Sequence, residues 1–247
     1  MEQSRKITFD YLNEPKPNSK VWRYMNYNKF IDLITTSQLF FCRVDKLADK
    51  KEGMLTQKIS NEFYDRYINI DDFYLSPKMA KQMGDNDKKR AEKYKDYILV
   101  NCWSQNLYES YALWKIYLGC QPFGVSIQTK YKNLIDSIVD DNYSYSFHNV
   151  YYSDDPKDER VASIHYRKSK SYKFENEVRI AIFNQCVEFD GEPKYEKGTF
   201  VKVDLNKMIE RIYVSPFAPA SFYEFIAYVV KEKYNLKLPV VKSQIEE

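Results

Sequence analysis

Only 6 glycines are spread through the 247 residues, too few to build the glycine-rich loops that cradle nucleotide phosphates in many folds. Histidine is scarcer still. With His148 and His165 as the whole supply, a Ser-His-Asp triad would depend on one of two residues, and no serine carries nucleophile-elbow glycines. The four cysteines, Cys42, Cys102, Cys120 and Cys186, form no C-x-x-C pair and neighbour no histidine, which argues against a zinc site and reads as reduced, buried thiols. No apolar stretch approaches bilayer length, and the opening MEQSRKITFDYLNEPKPNSK lacks the apolar core of a signal peptide. These absences predict a cytoplasmic, metal-free protein with no membrane partner.

What is abundant is aromatic. The chain holds 23 Tyr and 15 Phe, 44% hydrophobic and 30% charged residues, and a formal charge of only +3, a globular composition without the dense basic stripe of a dedicated nucleic-acid binder. One domain over 1–247 is the expectation, with a polar lead-in at 1–20, a helical insertion near 54–96 and a polar tail at 242–247. The order of elements begins with a strand over Val21–Met25, in which Trp22 and Tyr24 lie opposite Arg23. A helix capped by Asn26 or Asn28 follows, then a strand over Leu39–Val44. In the insertion, Leu55, Ile59, Phe63 and Tyr67 recur at helical spacing, and a lysine-rich helix over Lys78–Tyr97 reads as a solvated face or, alternatively, a phosphate contact.

The apolar run Tyr97–Trp103 predicts a central strand ending at Ser104. Asn106 and Glu109 then resemble a capping box, opening a helix whose face carries Leu107, Ser110, Tyr111, Trp114, Tyr117 and Leu118 and which ends at Gly119. Further strands are expected over Phe123–Gln128, Thr199–Val203 and Arg211–Val214. A short helix near Tyr131–Val139, a strand or loop over Tyr143–Tyr152, a turn at Gly191-Glu192-Pro193, a closing helix over Ser221–Lys233 and an edge strand over Leu236–Val241 complete the reading. Local hairpins with interposed helices predict an α+β fold around a mixed, mostly antiparallel sheet.

The segment Tyr172–Phe183, YKFENEVRIAIF, reads as a strand. Its alternation places Glu175, Glu177, Arg179 and Ala181 on one face and Val178, Ile180 and Ile182 on the other, with about 7 Å between alternate residues. A carboxylate paired with a guanidinium stays anionic, the state needed to stabilise a developing cation or orient a hydroxyl. That suits chemistry at a ribosyl carbon. The plainer alternative is a salt bridge on a strand face, with Arg23 a surface arginine, Ser104 a turn residue, and Trp114 and Tyr117 core residues rather than a ligand platform.

Several stretches, WRYMNYNKFIDLITTSQLFFCRVDKLADKKEG, VNCWSQNLYESYALWKIYLGCQPFGVSI, YRKSKSYKFENEVRIAIF and IERIYVSPFAP, together resemble the bacterial family catalogued as domain of unknown function 2971, across Val21–Val230. Asp49-Lys50 stands where that family usually has Asp-Pro. A second resemblance is to ADP-ribosyltransferases of the toxin type, which carry an arginine on the first strand, a serine on a later one and a Glu-x-Glu pair on a following strand; here the single Ser104 stands in place of a Ser-Thr-Ser run. That resemblance implies a split sheet and NAD as substrate. It places Arg23 on the phosphates or ribose and Ser104 beside the nicotinamide, with Tyr24, Trp114, Tyr117 and Arg179 around the dinucleotide. Glu177 would be catalytic, and Glu175 would position or activate a macromolecular acceptor, protein or nucleic acid. A role in stress or phage defence, with a neutralising partner, goes with it. The competing expectation is a non-catalytic protein- or nucleic-acid-binding module with a structural Glu/Arg network and tyrosines as a recognition surface. A metal-dependent nuclease is weaker, because the acidic residues lack a second cluster.

Overall fold

The computed structural model describes residues 13–49, 52, 55, 61, 65, 67, 76–155, 157, 165–183 and 195–245. Strand β1 (Lys20–Asn26) leads into helix α1 (Tyr27–Thr36), where the Asn26 side chain accepts the Lys29 N–H and caps the helix. β2 (Gln38–Arg43) follows, and further along come α2 (Pro77–Lys93) and the long strand β3 (Ile98–Gln105). Then come α3 (Tyr111–Leu118), β4 (Gly124–Lys130), α4 (Tyr131–Asp136), β5 (Ser144–Asn149), β6 (Tyr151–Tyr152), β7 (Arg167–Lys168) and β8 (Glu177–Phe183). The chain closes with β9 (Gly198–Lys202), α5 (Leu205–Met208), β10 (Arg211–Val214), α6 (Ala220–Tyr228) and β11 (Val240–Lys242). No helix among the described residues is long and apolar enough to cross a membrane.

Among the described residues nine strands form one sheet of α+β type, antiparallel except where β11 runs parallel to β10. β3 is its hub, and its two edges are used differently. One edge pairs with β8 along seven residues, from Ile98↔Phe183 to Ser104↔Glu177. The other is shared: β1 holds only the end at Trp22↔Ser104 and Val21↔Gln105, and β2 holds the start at Cys42↔Val100 and Arg43↔Leu99. Between those contacts β1 and β2 diverge, so the sheet forks beside Asn101–Trp103.

Register sorts the faces. Val178, Ile180 and Ile182 of β8, Leu99 and Trp103 of β3, and Leu39 and Phe41 of β2 join the main core beneath α1 and α6. The opposite face carries a small cluster of Val44, Ile98, Val100, Tyr166 and Ala181 and, beyond the fork, a second one of Trp22, Tyr24, Leu113, Trp114, Leu118 and Tyr213. Alternation therefore divides β8 as expected, because one side must enter the core.

Several expectations need correction. Tyr172–Phe183 is not one strand: Lys170–Glu175 is a 3₁₀ helix, Asn176 turns through the left-handed region (φ 42°), and extended structure starts at Glu177. The helix expected to open at Asn106 begins one turn later, at Tyr111, because the Ser110 side chain accepts the Leu113 N–H and the Ser110 N–H is taken by the Tyr24 hydroxyl. Its buried side is Leu113, Trp114 and Leu118, while Leu107, Tyr111 and Tyr117 are exposed. Cys120 is exposed and Cys42 and Cys102 are half-buried, so the thiols are free but not interior. The expected helix through Leu55, Ile59, Phe63 and Tyr67, the turn at Gly191-Glu192-Pro193 and Cys186 fall largely or wholly outside the described residues.

Candidate active site

The fork opens a cleft of about 790 Å³, within the range of small-molecule sites. Arg23, Tyr24, Ser104, Tyr117, Glu175, Glu177 and Arg179 all line it. Trp114 does not. It is fully buried, its indole N–H donates to Glu109 Oε1 at 3.1 Å, and its ring meets Tyr24 edge-on, so it serves the core beneath the cleft.

Arg23 has the strand parity of Val21 and Met25, which enter the main core, but at this point its own strand has no β3 partner. The side chain fills that gap. Nη1 donates to the Cys102 carbonyl at 2.7 Å and to Asn101 Oδ1 at 3.0 Å, satisfying the edge that the missing strand leaves open, and the guanidinium lies 5.8 Å from the Trp103 ring centre. Nε and Nη2 make no hydrogen bond to the described residues and remain as donors toward the cleft. Burial holds this arginine below its ordinary pKa.

Across β3 lies the ionic cluster. Arg179, 1% exposed, donates from Nε to Glu177 Oε1 at 2.6 Å, from Nη2 to Glu177 Oε2 at 3.1 Å and Glu52 Oε2 at 2.7 Å, and from Nη1 to the His165 carbonyl at 2.6 Å. Lys168 stands among three carboxylates: Glu175 Oε2 at 2.7 Å, Glu52 Oε1 at 3.1 Å and Glu177 Oε2 at 3.3 Å. Burial by itself would raise the Glu177 pKa, but Arg179 and then Lys168 overcome it, with the Cys102 thiol adding a hydrogen bond, and the carboxyl is held at about 2. Glu175 moves the other way. Burial and the neighbouring Glu177 and Glu52 outweigh Lys168, so its pKa sits above the usual carboxylate value. Two adjacent carboxylates whose environments push them apart can divide the labour of an anionic stabiliser and a proton carrier.

Ser104 acts through its neighbours. Its hydroxyl donates to the Glu175 carbonyl at 2.6 Å and accepts from Asn106 Nδ2 at 2.6 Å, fastening the 3₁₀ turn that brings Glu175 to Lys168. Asn176 reinforces this turn: its backbone carbonyl accepts the Gln105 N–H, and its side-chain amide donates to the Gln105 carbonyl. The two glutamates thus meet at Lys168 through a tight turn, not through the alternation of one strand. Tyr24 spends its hydroxyl on Ser110 and stacks at 6.1 Å on Tyr117, whose 47% exposed ring forms part of the cleft wall.

Sequence reasoning missed Glu52 and Lys168. Glu52 sits in a charged stretch that reads as a loop, and only its 4% exposure reveals it. Lys168 belongs to a two-residue strand within HYRKSKSY, where nothing local separates it from Lys170. The described residues contain no group of three or more His, Cys, Asp or Glu arranged to hold a metal ion.

No protein-family model matches this chain, the family its motifs resemble included, and no curated protein sequence does. Solved structures of DarT from Thermus sp. 2.9 are similar to it. The complex with ADP-ribosylated ssDNA shares 8% identity at a TM-score of 0.42, covering 94% of this chain and 97% of that one. The NAD+ complex gives 8% and 0.41 over 93% and 96%, and the carba-NAD+ complex 12% and 0.39 over 93% and 97%. Likeness of this degree assigns the chain no activity.

Proposed function

We propose that the protein is a transferase that moves the ADP-ribosyl group of NAD+ to a macromolecular acceptor in the forked cleft. One observation carries the reading: a buried glutamate kept ionised by two cations shares one cleft with an arginine that has unused donors. Cleavage of the nicotinamide–ribose bond sends the bonding electron pair to nicotinamide, which leaves neutral, and positive charge grows on the ribosyl carbon and ring oxygen. Glu177 supplies fixed negative charge beside that cation, or orients a ribose hydroxyl, without having to lose a proton first. Arg179 and Lys168 hold the carboxylate in place. Arg23 offers Nε and Nη2 to the pyrophosphate, a task suited to a planar, permanently charged fork. Glu175, with its raised pKa, accepts the proton that the acceptor loses as it attacks the ribosyl carbon. Products are the ADP-ribosylated acceptor, nicotinamide and one proton.

Purified protein incubated with NAD+ and a cell lysate or nucleic acid is expected to release nicotinamide. Glu177→Gln keeps the shape of the side chain, removes the charge and is expected to abolish release. Because Glu177 also binds Arg179 and Lys168, the folded state of the variant is checked by its melting transition; Tyr117→Ala, which removes a half-exposed cleft wall stacked on Tyr24, should lower turnover in a protein that still folds. Undiminished release by folded Glu177→Gln, or none by the native protein, refutes the transferase reading. Absence of release by the native protein leaves the Glu/Arg network structural and the protein a binding module; undiminished release by the variant removes Glu177 from the chemistry.

A further inference from the structure

On the β2 and β9 side of the cleft, across β3 from Glu177, two large apolar side chains are exposed. Phe40 of β2 is 36% exposed and Phe200 of β9 45%, and their ring centres lie 5.1 Å apart with planes tilted by 55°. Both line the cleft. We propose that Phe40 and Phe200 form a subsite for the distal, non-reacting base of the dinucleotide donor, the adenine in NAD+; this rests on the reading of the cleft as a dinucleotide site.

Register supports the placement. Phe40 is paired with Phe200, Cys42 with Val100, Val100 with Ala181 and Cys102 with Arg179, so the two rings project from the same face of the sheet as Glu177 and Arg179. From β8 to β9 the order is β8, β3, β2, β9, at least three strand spacings or about 14 Å, since β2 and β3 part at the fork. Two ribosides bridged by a pyrophosphate cover such a distance. The midpoint is where Arg23 lies. Asn101 fixes the interval: its Oδ1 accepts from Arg23 at 3.0 Å and its Nδ2 donates to the Phe40 carbonyl at 2.9 Å. The Phe40 ring also lies beside Gly198, where a Cβ would come within 2.0 Å of the Phe41 carbonyl oxygen and 2.7 Å of Phe40 Cζ, so the glycine lets β9 and β2 approach closely next to the ring. Lys29, Asp32 and Gln38 also line the cleft, and Lys29 makes no ion pair with the described residues.

Stacking a base on aromatic rings contributes roughly 1–3 kcal/mol. Binding of NAD+, ADP-ribose and nicotinamide mononucleotide is measured by calorimetry for the native protein and for Phe40→Ala/Phe200→Ala. Phe40→Leu/Phe200→Leu, which keeps apolar volume but offers no ring face, guards against a packing defect. Both variants are expected to weaken NAD+ and ADP-ribose about tenfold or more and to leave nicotinamide mononucleotide unchanged, since it lacks the adenylate half. Equal weakening of all three, no weakening of any, or no binding of ADP-ribose by the native protein overturns the proposal. So does unchanged NAD+ binding with slower transfer, which would give the rings to the acceptor. ADP-ribose bound through the rings in a protein that never releases nicotinamide would keep the subsite and refute the transferase; nicotinamide release with unaltered NAD+ affinity in the variants would do the reverse.

Discussion

Replacing Lys168 by Met removes an ammonium that faces three carboxylates while preserving most of the side-chain volume. The Lys168, Glu52 and Glu177 side chains are 9%, 2% and 4% exposed, so water cannot take over the lost contacts. Breaking a buried ion pair by deleting one partner typically costs about 3–5 kcal/mol, because the surviving charge stays desolvated. Here Arg179 remains bound to Glu177 and Glu52, which shelters those two and leaves Glu175 most exposed to the change. We therefore expect a loss near 3 kcal/mol at pH 7.5. The loss should shrink as pH falls. Without Lys168 the Glu175 carboxyl, already above its ordinary value in the native protein, is pushed further up, so above the unfolded value of 4.5 the folded variant binds more protons than the unfolded chain and its stability grows on acidification. Urea unfolding of native and variant protein at pH 7.5 and 5.5 measures both parts, and Lys168→Met/Glu175→Gln should recover part of the loss at pH 7.5. A loss below about 1 kcal/mol, or one independent of pH, would refute the view that Lys168 is what holds this cluster of carboxylates together.

The native protein should itself be sensitive to acid. His165, 1% exposed, is held at about 3 by burial and by Arg179 and His148, against 6.5 unfolded; its contribution is intact above pH 6.5 and falls away as pH drops toward 3, by up to about 4–5 kcal/mol. Glu177, held at about 2, withdraws its own share below the unfolded carboxylate value of 4.5. A urea midpoint that stays flat from pH 6.5 to 4 would contradict this. At Asn176, whose φ of 42° is left-handed, Ala should cost about 2 kcal/mol through the strained backbone and the lost bond to Gln105, and Gly only about 1. Equal melting temperatures for the two variants would show that the turn is not held by this conformation.

Local pattern reaches a good part of the fold. β1, α1 with its Asn26 cap, β2, β3 and β10 follow from periodicity and capping chemistry, because each depends on contacts within a few residues or on one buried face. Where two local caps compete, a distant contact decides between them. The helix α3 starts from the Ser110 side chain and not from Asn106, and Tyr24, 86 positions earlier, holds Ser110 in that place by accepting its N–H. The strand read through Tyr172–Phe183 fails at Asn176 for a related reason: the turn is held by Gln105 and Ser104 on β3, partners that no window around residue 176 contains.

By itself the sequence determined that Glu177 and Arg179 share a face of β8 and that Val178, Ile180 and Ile182 occupy the other, since a two-residue period with one apolar side admits a single way of burying the strand. Tertiary structure alone decided what that face looks onto. The fork in the sheet, Arg23 entering it from the opposite side of β1, and Lys168 and Glu52 closing on the carboxylates all depend on pairings between segments far apart in the chain. Charge placement of that kind leaves no periodic trace, because an ion pair is specified by where two side chains meet and not by the residues next to either one.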